Sequence, residues 1–265
     1  MQALAQKPFI IAHRGASALA PENTLAAFRK AIEDGADGIE FDVRFAKDRV
    51  PVVIHDAKLE RVGRQKGGVS NYTSSELQSL DVGSWFNEKN PHKSNGKFSL
   101  ETVPTLERLL KFLSGYKGLL YIEMKCREEE TGSLAEAVCQ AIRQSDLLPQ
   151  MIVKSFNLEA IRQIRRLLPE VRTAALFAPK ILDVLQKKKR FLEKAREYEA
   201  DEISIHFSLA TEKFIRRAEK KNLPVTIWTV DNRVWVNRAV NLGINAIITN
   251  NPARLLAKRD ELFRI

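Results

Sequence analysis

The chain has 265 residues, 44% of them hydrophobic, and 43 lysines and arginines against 33 aspartates and glutamates give a formal charge of +10. That is enough length and apolar content for a large buried core, which excludes a disordered chain, and two cysteines, Cys126 and Cys139, exclude a disulfide framework and a thiolate metal site. The opening MQALAQKPFIIAHRG has no charged start before a long apolar run, and FIIA is too short to span a bilayer, so we expect a cytoplasmic protein without stable membrane anchoring.

The first strand signal is PFIIAH (8–13), followed at once by Arg14 and Gly15. In ENTLAAFRKAIEDG (22–35), Leu25, Phe28, Ala31 and Ile32 recur at helical spacing, with Asn23 as the expected N-cap. DGIEFDV (37–43) reads as a core strand, yet it carries Glu40 and Asp42, which are costly to bury unpaired. Strand residues two apart share a face, so the acids point one way and Ile39, Phe41 and Val43 the other. A turn near Lys47 to Arg49 would return PVVIH (51–55) antiparallel, with His55 roughly opposite Asp42. Residues 57 to about 103 break the rhythm with KGG, NYTSSEL and EKNPHKSNGK, and offer one short helix at TSSELQSL. They read as an insertion after the second strand, where barrel enzymes build substrate pockets.

From about residue 118 the rhythm is regular. Strand candidates are GLLYIEMK (118–125), MIVKSF (151–156), RTAALF (172–177), EISIHF (202–207), PVTIWTV (224–230) and NAIIT (245–249). Amphipathic runs such as SLAEAVCQAIR, LEAIRQIRRLL and TEKFIRRAEKK lie between them. Strand starts are about 20 to 33 residues apart, the size of a βα unit. Much of the excess positive charge sits in QKKKRFLEKAR (186–196) and FIRRAEKK (214–221), alternating with an apolar stripe. That is a solvated helix face; without interleaved aromatics we expect no nucleic-acid partner. Eight strands, each feeding a helix by right-handed crossovers, predict an α/β protein, a closed TIM (β/α)8 barrel forming one domain over 1–265 with 57–103 inserted. An open doubly wound sheet would use the same units, but no GxGxxG follows the first strand.

Over one barrel mouth this arrangement would gather His13, Arg14, Glu40, Asp42, His55, Glu123 and Lys125. Three carboxylates without thiols suit Mg²⁺ or Ca²⁺. Such a cation would neutralise phosphate oxygens, with Arg14 and Lys125 adding fixed positive charge. Two histidines can serve as general base and general acid. The combination points to hydrolysis of a small anionic phosphodiester, steered by the positive field.

The same residues resemble the glycerophosphodiester phosphodiesterase family. The matching pieces run in order: HRGAS (13–17), APENTLAAF (20–28), GADGIEFDV (35–43), PVVIHD (51–56), LER (59–61), SSELQSLDVGSWF (74–86), VPTLERLL (103–110), YIEMK (121–125), SFN (155–157) and WTVDN (228–232). The resemblance implies a TIM barrel that hydrolyses glycerophosphodiesters to glycerol 3-phosphate and an alcohol with a divalent metal, Mg²⁺ or Ca²⁺. It makes His13 and His55 the acid/base pair, Glu40, Asp42 and Glu123 the metal ligands, and Arg14 and Lys125 phosphate contacts. It also places Glu22 near the site and Phe156 and Trp228 along the pocket. At TNNP (249–252) the chain departs from the family, with Asn250 where an acid usually follows the threonine. Two other readings stay open at this point: a lysophospholipase D-like activity on longer lipids, and a non-catalytic anion- or metal-binding barrel. The head group, the choice of metal, the oligomeric state and which histidine is the acid are open as well.

Overall fold

Apolar runs with a period of two alternate with helical stripes, and each element of the fold follows from one of them. The structure is a computed structural model that describes residues 7–179 and 188–264. Gln186 and Lys187 of the basic run, and residues 1–6, lie outside the described residues. In chain order come β1 (Phe9–His13), α1 (Leu25–Glu33), β2 (Gly38–Phe45), β3 (Pro51–Val53), α2 (Ser74–Leu77), α3 (Ser84–Lys89) and α4 (Leu106–Phe112). Then follow β4 (Leu119–Met124), α5 (Thr131–Arg143), β5 (Met151–Ser155), α6 (Leu158–Leu167), β6 (Arg172–Phe177) and α7 (Lys188–Glu197). The chain ends with β7 (Glu202–His206), α8 (Glu212–Glu219), β8 (Val225–Trp228), α9 (Val234–Leu242), β9 (Ala246–Thr249) and α10 (Pro252–Phe263).

Eight parallel strands close on themselves because β1 pairs with β2 on one side and β9 on the other. The closed (β/α)8 barrel expected from the spacing is therefore present. The ninth strand, β3, pairs antiparallel with the far end of β2, above the end of β1. Its register is one residue from the expected one: Val43 pairs with Val53, and the Ile54 N–H donates to the Asp42 carbonyl at 3.0 Å. Ile54, not His55, thus stands opposite Asp42. The cause is a three-residue loop, Lys47 to Arg49, closed by the Ala46 N–H on the Val50 carbonyl and completed by Arg49 in the left-handed region at φ 61°.

Ile39, Phe41 and Val43 face the helices and pack in a cluster with Phe28, Ala31, Leu106 and Leu109. Phe28 meets Phe41 edge-on with ring centroids 6.0 Å apart. The barrel interior is filled by Ile11, Tyr121, Ile152, Ala174, Ala246 and Ile248. The cap of α1 is Thr24, whose hydroxyl accepts from the Ala27 N–H at 3.3 Å; Asn23, the expected cap, is turned into the left-handed region at φ 57° and serves the site instead. On α8, Phe214, Ile215 and Ala218 are buried while Lys213, Arg216, Arg217 and Lys220 are exposed, the solvated basic face expected from the pattern. Among the described residues no helix is long and apolar enough to cross a membrane.

The segment between β3 and α4 carries a core of its own. Val69, Leu77 and Val82 pack with Leu59, Val62 and Val103 against Val52 and Ile54, so the insertion is anchored on the β2–β3 hairpin. Of its described large apolar residues only Leu100 is broadly exposed, at 77%.

Candidate active site

His13 is the last residue of β1, and the chain then turns sharply through Arg14 at φ 56° and Gly15 at φ 79°. A left-handed arginine is strained, and it aims its backbone N–H at Glu40 Oε2, 3.1 Å away. Gly15 has no substitute: a Cβ there would lie 2.6 Å from the Ala27 backbone. The HRG sequence is thus a turn that a bulkier third residue would block.

Sheet register sets the rest of the layer. Asp42 pairs with Glu123, and Glu123 with Lys154, so side chains from β2, β4 and β5 stand at one height. Glu40, Asp42 and Glu123 are buried, and each offers a carboxylate oxygen within 4.8 Å of the others. Three cations answer them. Lys154 Nζ is 2.9 Å from Glu40 Oε1 and 3.5 Å from Glu123 Oε2. Lys125 touches Glu123 and lies 3.2 Å from Asp42 Oδ1. Arg14 Nε lies 3.2 Å from Asp42 Oδ2, which also accepts from the Asn23 amide at 2.9 Å. Burial opposes ionisation of Asp42, but Lys125 and Arg14 outweigh it and hold the carboxyl well below its usual range. Glu40 is also lowered, Lys154 overcoming the cost of burial.

Lys154 was not among the residues singled out from the sequence, although a lysine inside MIVKSF on the Ile152 face was a signal. Removing it leaves two buried carboxylates undercompensated. Lys154→Met should therefore cost about 3–5 kcal/mol of stability, read as a lower denaturant midpoint at an unchanged slope. An unshifted midpoint would mean that Lys154 does not balance these acids.

The donor set fits a hard divalent cation. It consists of converging carboxylate oxygens only, and buried Glu40 Oε1 is met by Lys154 Nζ at 2.9 Å and by no other recorded polar partner among the described residues.

Each histidine is held through Nδ1. His13 Nδ1 lies 2.7 Å from Asn250 Oδ1. Asp231, which can only accept, takes the Asn250 backbone N–H and side-chain NH₂, both at 2.8 Å, so the amide oxygen must face His13. That places the proton on Nδ1 and leaves Nε2 facing inward, 4.0 Å from Glu40 Oε2. Burial pushes His13 below its ordinary pKa, against the pull of Glu40. The departure at Asn250 therefore keeps a hold on His13, with Asp231 behind it. His55 Nδ1 is 2.6 Å from Asp56 Oδ1, and its carbonyl accepts from Arg44 Nε at 2.7 Å. Asp56 Oδ2 takes Arg61 Nε at 2.5 Å.

Partial burial raises Asp56, but the bonds from Arg61 and His55 prevail and hold it at about 2, against an ordinary 3.8. Because the folded value is the lower one, the ionised carboxylate stabilises the fold above about pH 4, and this is lost as pH falls through 2. Asp56→Asn should lower the thermal midpoint at pH 7, and the gap to the parent should narrow below about pH 4. A gap independent of pH would refute the charge-based account.

Phe156 is 48% exposed and meets Trp228 edge-on at 5.6 Å. Trp228 Nε1 is buried and has no acceptor among the described residues. Phe156 also lines a cavity of about 910 Å³ with Cys126, Asn157, Phe177 and Tyr198.

The profile of the Glycerophosphoryl diester phosphodiesterase family matches residues 13–254. The protein YhdW of Bacillus subtilis is 36% identical over 244 residues, which is 92% of this chain and 95% of that protein. A glycerophosphodiester phosphodiesterase of Caldanaerobacter subterraneus is 31% identical over 253 residues, covering 94% and 97% of the two chains. The structure of an Oleispira antarctica phosphodiesterase in complex with the product sn-glycerol-3-phosphate superposes with a TM-score of 0.84 at 26% identity, over 96% of this chain and 97% of that one.

Proposed function

Because the chain belongs to the glycerophosphoryl diester phosphodiesterase family and is an enzyme that hydrolyses glycerophosphodiesters, we propose that His13 and His55 carry its proton transfers. The observation behind this is the convergence of two Nδ1-anchored histidines, a buried carboxylate triad and fixed cations at one barrel mouth. Substrates of this kind are small, water-soluble diesters such as those of choline or ethanolamine, split to glycerol 3-phosphate and the alcohol. The product bound to the Oleispira antarctica enzyme supports that assignment.

Glu40, Asp42 and Glu123 would hold a divalent cation, Mg²⁺ or Ca²⁺, which supplies Lewis-acid stabilisation of phosphate oxygens. Arg14 and Lys125 add positive charge to the phosphate, and Phe156 and Trp228 line the path of the substrate. One histidine accepts a proton from the attacking water or neighbouring glycerol hydroxyl, while the other delivers one to the leaving alkoxide. We take the chain as one barrel domain with 57–103 inserted, and its two free cysteines suit the reducing cytoplasm. The insertion buries Val69, Leu77 and Phe86 and leaves Leu100 as the one broadly exposed large apolar residue among its described residues, which favours water-soluble substrates over an acyl chain. A release assay tests the reading: glycerol 3-phosphate should appear from glycerophosphocholine or glycerophosphoethanolamine. Turnover confined to lysophospholipids would overturn it.

A further inference from the structure

We propose that Arg61, a residue of the insertion, is a positioning residue that fixes His55 and Arg14 relative to one another. The inference rests on the proposed roles of those two residues.

Arg61 uses all three guanidinium nitrogens. Nη1 and Nη2 form a two-pronged pair with Glu22 Oε2 and Oε1, each at 2.7 Å, and Nε donates to Asp56 Oδ2 at 2.5 Å. Each carboxylate is shared. The other oxygen of Asp56 is 2.6 Å from His55 Nδ1, and Glu22 Oε1 also accepts Arg14 Nη1 at 2.8 Å. The result is an unbroken path, His55–Asp56–Arg61–Glu22–Arg14, linking the end of the hairpin to the turn after β1. The guanidinium lies 5.5 Å from the Trp85 ring centroid, and Trp85 is held by its indole N–H on the Val82 carbonyl at 2.8 Å. The insertion thereby sets the orientation of a proton-transfer group and a phosphate contact at once.

A salt bridge that merely fastened the insertion would need neither shared carboxylate. Planarity matters here. A lysine ammonium is a point charge and cannot reproduce a fork on Glu22 together with a bond to Asp56.

Arg61→Ala should lower kcat by about 10–100-fold, the usual loss when a partner that orients a working group is removed. It should also raise KM. Arg61→Lys should recover little, and added guanidinium ion should restore part of the loss in Arg61→Ala. The discriminating measurement repeats Arg61→Ala in two further backgrounds, with glycerophosphocholine at high enzyme concentration to read low residual turnover. The kcat loss should vanish in His55→Ala, and the KM rise should vanish in Arg14→Ala. Equal losses in every background, or no loss in folded Arg61→Ala, would overturn the inference. If Arg61→Ala does not fold, Arg61→Lys decides: wild-type kcat and KM in that variant would also overturn it. Failure of the underlying reading shows separately, as wild-type turnover in His55→Ala alone.

Discussion

Alanine in place of His13 or of His55 should lower turnover of glycerophosphodiesters by about 10²–10⁴-fold each, the usual worth of one positioned proton transfer. Both rings are anchored through Nδ1, His13 on Asn250 and His55 on Asp56, so each leaves Nε2 for chemistry. Neither ring carries the core: His13 closes a strand at the barrel mouth and His55 is about a third exposed. Thermal midpoints and metal content should therefore stay near the parent values. The pair works as a unit, so the double variant should lose far less than the product of the single losses. A nitrophenyl ester, whose leaving group needs little protonation, should rescue the variant lacking the acid and not the one lacking the base. Wild-type turnover in both single variants would end the two-histidine mechanism and favour a barrel that only binds.

Chelation should abolish activity, with Mg²⁺ or Ca²⁺ restoring it, and Asp42→Asn should lower kcat/KM by about 10²–10³-fold. The magnitude follows from the several kcal/mol of charge stabilisation a bound cation supplies, at 1.36 kcal/mol per factor of ten. Asp42 is the centre of the set. It meets Arg14, Lys125 and Asn23, and losing its charge weakens the donor set while leaving two cations at the site undercompensated. Elemental analysis and calorimetric titration of the metal into Asp42→Asn give a readout independent of turnover. Full activity after exhaustive chelation, with no metal retained, would dismiss the triad as a metal site.

Much of this was legible in the chain. β-branched runs at βα spacing gave the barrel, and Glu40 and Asp42 stood out because an acid on an apolar strand has few innocent explanations. What stayed hidden depends on contacts between distant residues. Asn250 reaches His13 across 237 positions and Arg61 reaches Glu22 across 39, and no local pattern records either bond. The hairpin register turned on one left-handed residue, Arg49. Asn23 and Thr24 are both good caps, and only the pull of Asp42 on the Asn23 amide separates their roles. Lys154 was visible but unread, since its meaning comes from Glu40 and Glu123 on neighbouring strands.

The carboxylates and lysines of the site come from one arc of the barrel. His13, Glu40, Asp42, Glu123 and Lys154 stand on β1, β2, β4 and β5, with His55 and Lys125 just beyond β3 and β4. The opposite arc, β6 to β9, contributes Trp228 and the Asn250 support. On the roles proposed above, bond cleavage and choice of alcohol can largely be inherited separately. Loops after β6 and β7 can drift or be exchanged to suit new head groups while the first half, with the Asp231–Asn250 hold on His13, keeps the proposed phosphorus chemistry intact. A lineage built this way explores substrates without risking its reaction, and a chimera joining 7–155 to the second half of a relative would take the same shortcut.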